Sequence, residues 1–291
     1  METLVTTLLQ PSSRREISPR WDALDARCRA ALKHEIDAWP KPGLVTPVDS
    51  GSHRDMNYAT FVDSIAALEG YFAQIAEAGA RDADYGELQV VAIAAEALML
   101  AATRGANTHR GAIFNLGLLA AADGLRSVTD RFEGRSCGEI VSVRWGAAIL
   151  GSRGTAPASH GKAVWQRYRV GGAREEAAEG FPSVYGIGLP ALQRLLALGV
   201  DEDQALVGTL MALMAELPDT NLLWRGGDAG LRDVQQAAAA FNHAGGVLQH
   251  DWRERLLDIH RWMVARNLSP GGSADLVAAT WLAHHLDTSA G

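Results

Sequence analysis

The sequence predicts an all-α protein, and three observations predict it. Apolar residues recur at helical spacing along most of the chain. Alternating runs of β-branched residues are nearly absent: "EIVSVRW" (139–145) alone has that look, and its alanine-rich flanks favour helix. Short stretches rich in glycine and proline separate the periodic segments. Together these predict one multi-helix, bundle-like domain over residues 19–291, with glycine-rich loops that form one site. The first 18 residues hold Pro11, Ser12 and Ser13 and are expected to be loosely ordered.

In chain order, Arg20 to Trp39 places Trp21, Leu24, Cys28, Ala31, Leu32, Ile36 and Trp39 on one stripe, and Pro40 stops it. Met56 to Ala78 continues the period through Tyr58, Phe61, Ile65, Leu68, Phe72 and Ile75, as one helix. Leu88 to Ala102 and Ala205 to Leu217 are apolar almost all round, a pattern that puts a helix at the centre of a bundle. Further helices are expected at 109–122, 137–149, 159–168, 173–180, 189–198, 229–244, 250–266 and 273–286.

Composition narrows the function. Hydrophobic residues make up 47% and charged ones 21%, ordinary values for a packed core, and the net charge is -7. That balance argues against a general nucleic-acid binder or a protein of anionic membranes. The apolar run from Val90 to Ala102 is interrupted by Glu96 and falls short of a bilayer span. Two isolated cysteines, Cys28 and Cys137, read as free thiols of a soluble cytoplasmic protein.

The polar residues that look out of place cluster in "KPGLVTPVDSGSHRD" (41–55), "TRGANTHRG" (103–111), "GGAREEAAEGFP" (171–182), "DTNLLWRGG" (219–227) and "NLSPGGSAD" (267–275). Glycine admits a ligand close to backbone N–H groups, and neighbouring Lys or Arg adds charge-assisted bonds to phosphate oxygens. Each piece also has a plainer reading. Asp55 and Asp219 suit helix caps, His109 and Arg110 suit a solvated first turn, Arg225 suits a carbonyl contact, and Arg174 with Glu175 and Glu176 suits an exposed charge cluster. Glu96 resists such a reading. Residues 92, 93, 99 and 100 are Ala, Ile, Met and Leu, so its partner must come from another segment, and the loop with Asn107 and His109 or a bound magnesium is the expected one. Ser52 and Ser159 lack a nucleophile elbow, and neither a Walker A sequence nor a kinase motif set occurs. Carboxylates beside cations and glycine fit a magnesium-assisted polyphosphate site.

Taken in order, "KPGLVTPVDSGSHRDM", "ATRGANTHRGAIFNLGLL", "GAREEAAEGFPSV", "DTNLLWRGG" and "RNLSPGGSADLVAATW" resemble the triphosphoribosyl-dephospho-coenzyme A synthases. The resemblance runs from about residue 35 to 286, with Ser50, Ser52 and Ala106 as small departures. It implies transfer of the 5-triphosphoribosyl group of ATP to 3′-dephospho-coenzyme A, with adenine leaving. The product is the prosthetic-group precursor of malonate decarboxylase or citrate lyase, and overall similarity favours the malonate decarboxylase type. The implied site has Asp55, Glu96 and Glu176 as catalytic carboxylates. Lys41, Gly43, His53, Arg54, Asn107, His109, Arg110, Arg174, Asn221, Arg225, Gly226 and Gly227 would hold the nucleotide and its phosphates, and Asp49, Asp55 and Asp219 would hold Mg2+. The implied partners are ATP and 3′-dephospho-coenzyme A, a downstream transferase acting on an acyl carrier protein, and a second copy of the chain in a homodimer. Two rivals make different predictions: an all-α, magnesium-dependent hydrolase of ADP-ribose-type glycosides would need only water, and a helical scaffold would bind no nucleotide.

Overall fold

A computed structural model describes residues 18–152 and 160–288. Among these it forms thirteen α-helices, two short 3₁₀ turns, one π-turn and no strand. The helices are α1 (Pro19–Asp37), α2 (Tyr58–Ala67), α3 (Tyr71–Ala80), α4 (Tyr85–Ala102), α5 (Arg110–Arg126), α6 (Cys137–Gly151), α7 (His160–Tyr168), α8 (Ala173–Ala178), α9 (Leu189–Ala197), α10 (Glu202–Glu216), α11 (Thr220–His243), α12 (Trp252–Ala265) and α13 (Gly271–Thr288). The all-α class stands, and "EIVSVRW" lies inside α6. The expectation for the first 18 residues, apart from Ser18, and Ser159 lie outside the described residues.

The core is built around α5 and α10. On α5 the run Leu118–Ala122 is buried, and α3, α4, α6 and α13 pack around it. The α3–α5 crossing is close because glycine stands on both sides. A Cβ on Gly79 would lie 2.0 Å from the Ala121 carbonyl oxygen, and one on Gly124 would lie 2.1 Å from that of Ala76. α10 is central as its all-round apolarity predicts, with Leu206, Val207, Leu210, Met211 and Leu213 buried.

Several elements differ from expectation for identifiable reasons. The single helix read over Met56 to Ala78 is two, α2 and α3, broken at Leu68–Gly70. Gly70 takes a left-handed φ of 82°, and the Asp25 carboxylate of α1 accepts the N–H groups of Gly70 and Phe72 at 3.1 Å each, fixing a new helix start. Asp55 does not cap α2. Asn57 does, in a reciprocal capping box with Thr60. α4 is not central: it forms an outer wall, with Val90 and Ile93 more than half exposed. By length and composition α4 alone among the described helices could cross a bilayer, and it carries Glu96 on the wall described below. α11 begins at Thr220, nine residues before the expected 229, and kinks at Gly227, whose φ is 61° and ψ -165°. Thus "DTNLLWRGG" and "NLSPGGSAD" are helix starts more than loops.

Candidate active site

One cavity of about 1100 Å³ lies between α1–α5 on one side and the starts of α8, α11 and α13 on the other. Leu32, Ile36, Phe61, Tyr71, Leu88 and Leu118 give it an apolar floor. Its polar lining comes from the segments singled out by sequence: His53; Asn107, His109 and Arg110; Arg174, Glu175 and Glu176; Asp219, Asn221 and Arg225; and Ser269 and Asp275.

At the α4–α5 corner, Glu96 forms an ion pair with Arg110, both side chains partly exposed. The partner does come from the segment after Asn107, whose side-chain oxygen accepts the Arg110 N–H at 3.3 Å. This explains how an apolar helix keeps a carboxylate: the charge points into the cavity and is paired there. His109, next along, is no solvated first-turn residue. It is 3% exposed, and burial, with the Lys41 ammonium adding to it, pushes its imidazole down to about 3.

Across the cavity, Arg174 donates to the Ser152 hydroxyl. Glu176 accepts the Ser183 N–H at 2.8 Å and the Ser183 hydroxyl at 2.9 Å. Burial raises its carboxyl above the usual range, against the lowering effect of those two bonds. Asp219 is the N-cap of α11. It accepts N–H groups from Asn221 (2.8 Å) and Leu222 (3.3 Å), and also the N–H (2.8 Å) and hydroxyl (2.9 Å) of Ser273. Four donors occupy a buried carboxylate with about four acceptor positions, so Asp219 joins α11 to α13 and has little left for a metal.

The 41–55 segment plays a different part from the one expected of it. Lys41 is buried and bonds the carboxylate and the carbonyl of Glu35, so its ammonium is occupied inside the fold. His53 receives an Arg225 N–H on Nδ1 (3.2 Å) and its Nε2 lies 2.9 Å from the Ser269 hydroxyl. Burial and the Arg225 charge push its pKa down, so it acts as a neutral bridge. Arg54 is exposed and Asp55 is 66% exposed, and neither lines the cavity. Asp49 accepts the Gly51 N–H at 2.7 Å and faces His260 Nε2 at 3.4 Å, also away from the lining. Gly43 turns the chain at a φ of 71°, where a Cβ would lie 2.4 Å from the Leu268 carbonyl oxygen. Gly226 gives room to Leu268, and Gly227 makes the α11 kink; both stand behind the lining. Arg225 ties these parts together through the carbonyl of Ser52 (3.0 Å) and the side chain of Asn267 (2.9 Å). Asp49, Asp55 and Asp219 therefore do not converge as a metal triad, and among the described residues no three His, Cys, Asp or Glu side chains form a group that could hold an ion.

Three carboxylates on the lining were not singled out from sequence: Glu35, Glu179 and Asp275. Glu35 follows Cys28, Ala31 and Leu32 at helical spacing, so the period of α1 already placed it on the buried stripe. Asp275 sits in "SADLVAA", where the reasoning applied to Glu96 applies equally. It reaches the start of α5, accepting the Ala112 N–H, and Gly111 leaves the space: a Cβ there would lie 2.0 Å from Asp275 Oδ2. Burial, then the neighbouring charges of Glu35 and Asp219, hold the Asp275 carboxyl well above the usual range.

A large cavity among helices, lined by arginines and perturbed carboxylates, has the features of an enzyme for a charged nucleotide substrate. Residues 22–291 match the family model of the ATP:dephospho-CoA triphosphoribosyl transferases (CitG), and the chain belongs to that family. It is 39% identical over 266 residues to a probable 2-(5''-triphosphoribosyl)-3'-dephosphocoenzyme-A synthase of Acinetobacter calcoaceticus, covering 91% of each chain. It is 41% identical over 274 residues to the 2-(5''-triphosphoribosyl)-3'-dephosphocoenzyme-A synthase of Pectobacterium atrosepticum, covering 91% of this chain and 89% of the other. With the probable synthase of Pseudomonas putida it shares 41% identity over 268 residues, covering 89% of this chain and 92% of that one. No solved structure matches the chain.

Proposed function

We propose that the chain transfers the 5-triphosphoribosyl group of ATP to the ribose 2′-hydroxyl of 3′-dephospho-coenzyme A and releases adenine. The observation that carries this reading is the cavity itself: Arg110, Arg174 and Arg225, from three separate helices, share one space with Glu96, Glu176 and Asp275. The C1′–N9 bond of ATP breaks with its electron pair passing to adenine, the C1′–O2′ bond forms, and the proton of the attacking hydroxyl ends on adenine. Glu96, paired with Arg110, faces the positive charge that builds on the sugar. Glu176 is the proton acceptor from the hydroxyl, since burial raises its carboxyl toward the range of a general base. Arg174 and Arg225 hold the triphosphate, which this reaction leaves intact.

Magnesium fits as a companion of the triphosphate. Asp275 offers one carboxylate on the lining, and one or two carboxylates completed by phosphate oxygens make an ordinary magnesium donor set. The ion would offset phosphate charge. The finer parts of the reading are a cytoplasmic enzyme, a homodimer, and a product delivered through a second transferase to the acyl carrier protein of malonate decarboxylase; overall motif similarity supports the last. The test is incubation with magnesium-ATP, with and without 3′-dephospho-coenzyme A, following adenine by chromatography. Adenine should appear only with both substrates. Equal release without the acceptor would make the chain a hydrolase.

A further inference from the structure

His109 occupies the N-cap position of α5, yet its side chain does not cap that helix. It turns toward α2, where its Nδ1 lies 2.6 Å from the hydroxyl oxygen of Ser64. The Thr108 hydroxyl donates to the same Ser64 oxygen at 2.8 Å. Ser64 is fully buried, so its own proton needs an acceptor; with Thr108 donating to it, that acceptor is Nδ1. The chain of donors then runs from Thr108 to Ser64 to His109 Nδ1. The opposite assignment, with Nδ1–H donating to Ser64, requires the Ser64–Thr108 bond to reverse as well. A neutral imidazole that accepts on Nδ1 carries its proton on Nε2.

His109 Nε2 is buried and has no hydrogen-bond partner among the described residues, while the residue lines the cavity. An orphaned donor in such a place calls for a ligand atom. Burial, and after it the Lys41 ammonium, keep the ring uncharged, and it sits at the positive end of α5. Its surroundings on the cavity wall are apolar: Phe61 meets the imidazole edge-on at 4.9 Å, and Met56 and Tyr71 line the same space. A neutral donor among such groups suits a heterocycle, and the arginines already answer the phosphates.

We propose that His109 presents a fixed, neutral Nε2–H to an acceptor nitrogen of the adenine ring, and that Ser64 and Thr108 are the residues that position it. This rests on the transferase reading. As the C1′–N9 bond breaks, the electron pair enters the ring, its acceptor nitrogens become more basic, and the bond from Nε2–H strengthens. The proton remains on His109 throughout.

The test uses the whole chain with ¹⁵N-labelled histidine. Long-range proton–nitrogen spectra at pH 7 should show His109 protonated on Nε2 only. Adenosine and ATP should shift that resonance, and inorganic tripolyphosphate should leave it in place. Ser64→Ala should mix the tautomers and lower kcat about tenfold, with KM for ATP within about twofold and the melting temperature recorded alongside. Thr108→Val should show a smaller loss in the same direction. An Nδ1–H tautomer, a charged ring at pH 7, or an equal shift with tripolyphosphate would overturn the proposal. If the tautomer and the adenosine shift hold but no adenine is released with dephospho-coenzyme A, the transferase reading falls and the donor assignment stands.

Discussion

Burial holds the His109 imidazole at about 3 in the folded chain, against roughly 6.5 when unfolded. Between those values the unfolded chain binds the extra proton, so stability falls as pH falls, by about 1.4 kcal/mol per pH unit. Urea midpoints at pH 6 and pH 5 should show the parent losing that much more stability than His109→Gln over the same step. An identical slope in both proteins would mean the ring protonates freely in the fold. Lys41 makes a second residue-scale prediction. Its ammonium neutralises buried Glu35, so Lys41→Ala should cost about 3–5 kcal/mol of stability by leaving that carboxylate unpaired. In the double variant with Glu35→Gln much of the loss should return; chemical denaturation of the three variants decides it. These two residues mark what sequence could and could not give. Glu96 was readable because every helical neighbour was apolar, which left only a partner from outside the helix. That Lys41 is consumed by Glu35, and His53 by Arg225 and Ser269, depends on which segments meet in space.

At the scale of elements, helices were legible from period and their ends less so. Asp25 splits the predicted 56–78 helix from a distance of some forty-five residues along the chain, a contact with no local signature. α4 shows the limit of all-round apolarity: the same pattern that buries α10 leaves α4 as a wall, because no helix among the described residues covers Val90 and Ile93. The π-turn Val184–Gly188 had no signal of its own. The α3–α5 crossing gives a direct prediction. Gly79→Ala would drive a methyl group into the Ala121 carbonyl at 2.0 Å, and overpacking of this kind costs about 1–3 kcal/mol. Gly124→Ala should act similarly through Ala76. A thermal scan shows it: both variants should melt below the parent, and an unchanged melting temperature would mean the helices are free to move apart.

For the molecule as a whole, the glycine-rich segments stand around one cavity because helix starts from both halves of the chain meet there. Sequence marked the segments whose residues line this cavity; the division between residues that face it and residues that stand behind it came only from the fold. Arg174, which faces it, should bear on ligand binding directly. Arg174→Ala should raise the Kd for magnesium-ATP about 10–100-fold by calorimetry, the worth of one charge-assisted contact. The central claim, that a ribose hydroxyl attacks C1′ inside this cavity, is tested most directly by running the reaction in ¹⁸O-enriched water with both substrates. The account predicts adenine and a coupled product in equal amounts, with no ¹⁸O in the new glycosidic linkage. Ribose triphosphate released with ¹⁸O at C1′ would show that water is the acceptor, and would contradict it.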